Sequence, residues 1–365
     1  MASVPGQGIV LVERRARIMA TDIAAHVACP SERGDEAAQA VEQCFEWLRE
    51  VDRTLTRFEP ASDLCRLNAA AGQWTHVSPL LYMAVEQSVL AAEASEGLFD
   101  PTILPLLEWL GYDRDFKLLS DGDRDDIASQ TPQIAWSRGE WRHIEIDRVE
   151  RRLRLPANTR LDLGGIAKGW AADEAVARFF AAFPDVLLTI GGDMRARGRG
   201  ADGEPWAIGV ADPRARASTA ERHIAVVSTA GGGVACSGAT ETWWLRAGER
   251  RHHLLDPRTG RPARLWITAA DDEPDTQTLI ATVTAFAPTA AHAEVAAKVA
   301  ALRGCPDALR AVETAWRVTH GGDPAPYTDA GVALLLVMGS GQVVCSANLS
   351  EWLATWGGGG ELWLE

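Results

Sequence analysis

The sequence predicts an α+β fold, with mixed and antiparallel sheets and packed helices, arranged as one large domain of two intergrown lobes. Three observations carry this. Strand-like and helix-like segments mix without regular β-α-β alternation, which disfavours a doubly wound parallel sheet. The chain has 365 residues, 47% of them hydrophobic, enough for a substantial core. Its helical segments are amphipathic and carry start and stop signals.

Residues 1–15 read as a lead-in, within which 8–12 could begin a strand, and 17–28 read as strand. Val41, Cys44, Phe45, Leu48, Val51 and Leu55 fall at helical spacing, so 35–55 form an amphipathic helix with one buried face. A second helix opens on Ser78 as N-cap with Pro79 at its first position and stops at Gly97. Residues 141–147 and 150–155 form a hairpin, 160–163 a strand and 166–183 a helix. Strands follow at 186–190, 206–210 and 224–228, and 243–246 pairs with 251–255 across Ala247 and Gly248. Residues 282–287 read as strand, and Pro288 precedes an Ala/Val-rich helix that Gly304 ends. Residues 271–275 read as an acidic surface insertion, and 357–360 as a flexible glycine run. The main domain therefore spans 16–349, and 350–365 form a C-terminal tail whose docking the pattern leaves open.

A net charge of −14 disfavours nucleic acid and anionic membrane as partners. An anionic ligand must then be held by local positive charge. No apolar run approaches a membrane span, and residues 1–30 lack the layout of a secretion signal. Six scattered cysteines without metal-ligand spacing read as free thiols in a reducing compartment, so the expected location is cytoplasmic.

The stretch 161–173, LDLGGIAKGWAAD, leads an apolar segment through Gly164 and Gly165 into a helix with an early Lys168. Close backbone approach, a helix N-terminus and a positive charge suit a phosphate-bearing ligand. Two other patterns fail their context. Residues 198–203 match a dinucleotide fingerprint by letter but precede a strand instead of a helix. Ser237 with His253 and Asp256 suggests a hydrolase triad, but Ser237 lies on no strand-to-helix elbow.

The ordered series of Met19-Ala20-Thr21, FEPASDLCRLN at 58–68, FDPT at 99–102, the stretch 161–173, IGGD at 190–193, CSG at 236–238 and HLLDPRTG at 253–260 resembles the ApbE family of FAD:protein FMN transferases. The resemblance covers nearly the whole chain. It implies an enzyme that cuts the FAD pyrophosphate and joins FMN through a phosphoester to a threonine of an acceptor protein. It also implies that Met19, Phe58, Leu110, Gly111, Tyr112, Asp162, Lys168, Leu255 and Asp256 line the flavin site, with Phe58 where the family commonly has tyrosine. His253 is the natural base near neutral pH. Each of these residues also has a plain structural reading, such as an ion pair between Lys168 and Asp162.

One departure stands out. The resemblance gives Mg²⁺ to the Gly165 carbonyl and to an Asp and a Thr four residues apart on the late Ala-rich helix, where this chain has Glu294 and Lys298. Glutamate remains an oxygen ligand, but an ammonium has no free lone pair and repels Mg²⁺. The expectation is that Lys298 occupies the seat of the metal, held by Glu294. Three readings stay open: a transferase working without this metal, one taking its metal elsewhere or through the substrate, and an FAD-binding protein or slow FAD pyrophosphatase. Transferase ranks first because His253, Asp162 and the loop after Asp256 remain; a hydrolase unrelated to flavin ranks last.

Overall fold

The computed structural model describes residues 8–116, 119, 136–215, 223–246, 249–267, 276–318, 327, 331–352, 355–358 and 363–364. Its frame is a nine-stranded sheet in the order Ile9–Ile18, Thr21–Pro30, Asp185–Ile190, Asp193–Arg197, Gly231–Gly238, Ile280–Ala287, Ala333–Met338, Val343–Cys345 and Trp363–Leu364. Every pairing is antiparallel except the last. Among the described residues seven α-helices accompany it: α1 (Gly34–Leu55), α2 (Asp63–Ala69), α3 (Pro79–Ala94), α4 (Leu104–Trp109), α5 (Ala167–Phe179), α6 (Ala290–Arg303) and α7 (Asp307–Val318).

Local signals explain most of these elements. The apolar stripe of α1 is buried from Ala37 to Leu55. Ser78 caps α3, its side chain accepting from the Leu81 N–H at 3.2 Å. Thr289 caps α6 by accepting from the His292 N–H at 3.1 Å, and Gly304 follows the last residue at φ +76°. The strands Ile280–Ala287 and Ala333–Met338 are buried on both faces. Their continuous apolar runs follow from that position, with α6 and α7 on one side and the small sheet of Trp206–Ala211, His223–Thr229 and Thr355–Gly358 on the other.

Helix α6 is shared between two cores. Ala290, Ala291, Val295 and Val299 belong to the large core with α1, α3 and α5, while Ala293, Ala296, Ala297, Ala300 and Ala301 belong to a second core with α7. The two intergrown lobes thus meet along one helix and one continuous sheet. Asp173 of α5 holds the start of α6, accepting from the Ala290 and Ala291 N–H groups at 2.9 Å each. Burial pushes its carboxyl up to about 6 despite these bonds.

Several expectations are corrected. Residues 9–15 are not a lead-in but part of the first strand, paired along its length with Thr21–Pro30. Residues 160–163 form no strand. The Asn68 carboxamide exchanges two hydrogen bonds with Leu161, at 2.8 and 3.0 Å, and the Asp162 N–H donates to Pro101 at 2.9 Å, so side chain and loop replace a ladder. The strand expected at 251–255 is Glu249–His252, and the helix expected at 166–183 ends at Phe179. In the tail, Thr355–Gly358 pairs with His223–Thr229 and Trp363–Leu364 joins the main sheet. Gly357 and Gly358 therefore sit in a strand, whereas 359–360 and the acidic segment 271–275 lie outside the described residues.

Among the described residues no helix is long and apolar enough to cross a membrane. Helices α5 and α6 pack closely at Gly169, where an added Cβ would lie 2.5 Å from the Ala290 carbonyl oxygen. Gly169→Ala should push α5 off α6, lowering stability by about 1–3 kcal/mol in urea unfolding. A midpoint equal to that of the parent would refute this packing.

Candidate functional site

A cavity of about 780 Å³ opens where the end of α1, the segment after it, α4, the start of α5 and the end of α6 converge. Met19, Phe58, Tyr112, Asp162, Gly165, Lys168, His253, Leu255 and Lys298 line it. Leu110, Gly111, Asp256 and Glu294 do not. Leu110 is buried and its carbonyl accepts from the Trp244 indole at 2.9 Å, while Gly111 serves the turn at φ +98°. Both Asp256 carboxylate oxygens are taken by the Arg258 guanidinium. Glu294 lies beneath the cavity floor without solvent contact.

Met19 reaches the cavity from a strained turn. Met19 and Ala20 both have positive φ, 55° and 57°, as a two-residue turn joining Ile18 to Thr21 requires. Neither is glycine, so each bears a left-handed penalty of roughly 1–2 kcal/mol. The Met19 N–H donates to the Asp52 carboxylate at 3.1 Å and Arg17 donates to the Ala20 carbonyl at 3.0 Å, which hold the turn in place.

One wall is aromatic and cationic. The Arg57 guanidinium stacks on Phe58 at 4.2 Å and on Tyr112 at 4.5 Å, and Tyr112 leans on Trp244 at 5.4 Å. Arg57 Nε also pairs with Asp162 Oδ2 at 2.7 Å, both side chains being nearly buried. Asp162 Oδ1 accepts from the Gly164 N–H at 2.6 Å. Asp162 therefore joins this wall to the glycine turn, and its partner is Arg57, not the Lys168 that a plain ion-pair reading suggests.

The opposite floor is a charge network. Lys168 contacts Asp193 and lies 3.5 Å from Glu294 Oε1. Lys298 Nζ donates to the same Oε1 at 3.2 Å, and Glu294 Oε2 accepts from the Gly169 N–H at 2.8 Å. Burial opposes the Glu294 charge, but Lys298 and Lys168 outweigh it and hold the carboxyl below its usual range. Burial likewise opposes the Lys168 charge, and Asp193 and Glu294 hold that ammonium above its usual range. The residues do not fit a Mg²⁺ site. No cluster of three His, Cys, Asp or Glu side chains able to hold a metal occurs among the described residues, and the Lys298 ammonium sits on the Glu294 carboxylate.

His253 completes the cavity. Burial, reinforced by His252, Lys298 and Lys168, pushes its pKa down to about 3, so the ring is neutral near pH 7. Its Nδ1 has no hydrogen-bond partner among the described residues. A neutral imidazole beside two ammonium groups can take a proton while the cations hold an anion. Ser237 takes no part, being buried in a strand opposite Val283. Residues 198–203 form a loop closed by the Gly200 N–H on the Glu204 carbonyl at 2.8 Å, with no helix after it.

Sequence reasoning missed Arg57 and assigned no role to Asp193. Their only local signals are adjacency to Phe58 and the end of the IGGD turn.

Comparison with known proteins gives a consistent picture. A sequence model of the ApbE family matches residues 19–319. Proteins named FAD:protein FMN transferase are similar to this chain. The one from Treponema pallidum is 32% identical over 247 residues, covering 62% of this chain and 65% of its own. The one from Klebsiella pneumoniae is 27% identical over 256 residues, covering 67% of this chain and 65% of its own. The chain thus spans a little under two thirds of the length of these two relatives. The fold matches the ApbE protein of Thermotoga maritima with a TM-score of 0.73 at 24% identity, covering 95% of this chain and all of that one. It also matches the apo flavinyl transferase ApbE of Pseudomonas stutzeri with a TM-score of 0.71 at 23% identity, covering 95% and 98%.

Two predictions follow from the geometry. Arg57→Met strands the Asp162 carboxylate and should destabilise the fold by about 3–5 kcal/mol, with part of the loss recovered when Asp162→Asn is added. Strict additivity of the two changes in urea unfolding would refute the pair. The second concerns His252, whose Nε2 lies 3.0 Å from the Ala263 carbonyl and whose Nδ1 accepts from the Leu254 N–H at 3.2 Å. Only a neutral ring serves both, and burial lowers its pKa from 6.5 to about 4. The folded state then binds fewer protons than the unfolded one in that window. Its contribution, about 3 kcal/mol, is complete above the unfolded value and is lost as pH falls toward the folded one. Melting temperature should drop on acidification through this range, and less steeply in His252→Gln; equal slopes would count against it.

Proposed function

The chain belongs to the ApbE family, and from that premise we propose that it is an FAD:protein FMN transferase, acting on FAD and a threonine of an acceptor protein. The observation that carries the reading is the joining, in one cavity, of an aromatic wall with a neutral histidine and two ammonium groups. Phe58 and Tyr112 offer ring faces to a planar ligand, and Met19 and Leu255 add apolar contact. Phe58 lacks the hydroxyl of a tyrosine, so it contributes stacking alone.

In the proposed reaction the acceptor hydroxyl oxygen attacks the phosphorus on the FMN side of the diphosphate. A new P–O bond forms, the bond from that phosphorus to the bridging oxygen breaks, and AMP leaves with the electron pair. The hydroxyl proton passes to the His253 ring. A pKa of about 3 describes the ring without ligand. A bound diphosphate places negative charge beside the ring and offsets the lysines, raising its proton affinity when the proton must move. Lys168 and Lys298 counter the charge that develops on the phosphate oxygens. The free thiols of Cys29, Cys44, Cys65, Cys236, Cys305 and Cys345 support a reducing, cytoplasmic setting.

Incubation of the purified protein with FAD and a threonine-bearing acceptor should produce in-gel flavin fluorescence on the acceptor and release AMP. His253→Ala should lower the transfer rate by about 10²–10⁴-fold while FAD still binds. FAD recovered unchanged, with no flavin on any acceptor threonine tried, would reduce the protein to a flavin binder.

A further inference from the structure

We propose that Lys298, together with Lys168, replaces a divalent cation at the substrate diphosphate, so that this chain binds FAD and acts on it without magnesium. This rests on the flavin reading above for its ligand, and on the geometry of α6 for its substance.

Glu294 and Lys298 lie one turn apart on α6, and both oxygens of the Glu294 carboxylate are engaged. Its Oε2 accepts from Gly169, and its Oε1 is shared by Lys298 at 3.2 Å and Lys168 at 3.5 Å. Asp193, the other buried carboxylate, is held by Lys168. A cation could reach either oxygen set only by expelling an ammonium from its counter-charge. The space beside Gly165 is also filled. An added Cβ there would lie 3.5 Å from Lys298 Cε and 3.6 Å from its Cδ, so the lysine stem lies against this backbone. Mg²⁺ demands a nearly octahedral oxygen shell at about 2.0–2.1 Å, and methylenes with a fixed positive charge provide the opposite.

The same arrangement suits an anion. The two carboxylates lie underneath, with 0% and 1% exposure, whereas the Lys298 and Lys168 side chains are 15% and 31% exposed and line the cavity. The ligand therefore meets the cationic ends. Lys298 spends two donors on the Glu294 side chain and carbonyl. An ammonium has three, which leaves one for a phosphate oxygen. A monovalent charge is a weaker electrophile than a coordinated divalent ion, and the second ammonium on the same carboxylate makes up part of the difference.

The test measures FAD binding by flavin fluorescence quenching in buffer containing EDTA or excess Mg²⁺, alongside calorimetric titration of Mg²⁺ into the protein and its FAD complex. The proposal expects the same FAD affinity in both buffers and no stoichiometric heat from Mg²⁺. Lys298→Met should weaken FAD binding about ten- to hundredfold, the loss of one charge-assisted contact, with Mg²⁺ giving no rescue. Lys298→Arg should retain most of the affinity. Glu294→Asp combined with Lys298→Thr should restore binding only when Mg²⁺ is present. Loss of wild-type FAD binding in EDTA, stoichiometric Mg²⁺ uptake by the wild-type complex, or undiminished binding by Lys298→Met would each overturn it. Because the wild-type arms need no variant, a misfolded mutant does not spoil the test. Failure of the transfer reading is distinguishable: FAD bound in EDTA without transfer sinks that reading alone, and transfer that requires Mg²⁺ sinks this one alone.

Discussion

A single buried carboxylate sets the conditions for the rest of the site. Glu294 has no contact with solvent, on a helix otherwise made mostly of alanine and valine. An isolated charge in that position would cost several kcal/mol, so it persists only with donors around it. One comes from the Gly169 backbone, which demands that α5 approach without a side chain in the way. The others are Lys168 and Lys298, which reach the carboxylate and still border the cavity. The close crossing of two helices, a glycine at that crossing and two lysines at the floor are thus aspects of one electrostatic requirement.

The opposite wall obeys a parallel logic with different chemistry. Arg57 is nearly buried and is stabilised by two ring faces and one carboxylate. The carboxylate in turn fixes the Gly164 turn that leads into α5. Both walls therefore converge on the segment between Leu161 and Lys168. That segment is also anchored from below by the Asn68 carboxamide.

How much of this could be read from the chain depended on distance along it. Punctuated elements were legible: the Ser78 and Pro79 start of α3, the Gly304 stop of α6 and the alternation in Trp206–Ala211 are local signals and appear as local structure. The order of the site motifs was legible too, and nine of the thirteen residues singled out for the site line the cavity. The Asn68 contact with Leu161 spans 93 residues and left no trace in local pattern, so an apolar run at 160–163 mimicked a strand. Arg57 was missed for the same reason, and the plain pairing of Lys168 with Asp162 gives way to pairs of Arg57 with Asp162 and of Lys168 with Asp193, since an ion pair is a fact of tertiary placement and neighbouring letters do not encode it. The pairing of Thr355–Gly358 with a distant strand is another such case, because a glycine run gives no periodicity to read.

Helix α6 has one further consequence. Bounded by a core on each side, it is buried from Ala290 to Ala297 and offers no room there for a longer side chain to lean into water. Growth or loss of even a methyl group is felt by both lobes at once. Divergence among descendants of this chain is therefore channelled away from the helix, toward exposed cavity positions such as Phe58. The row through residues 294 and 298 is the exception, because it reaches the cavity through Lys298, where an exchange of charge alters the field inside it.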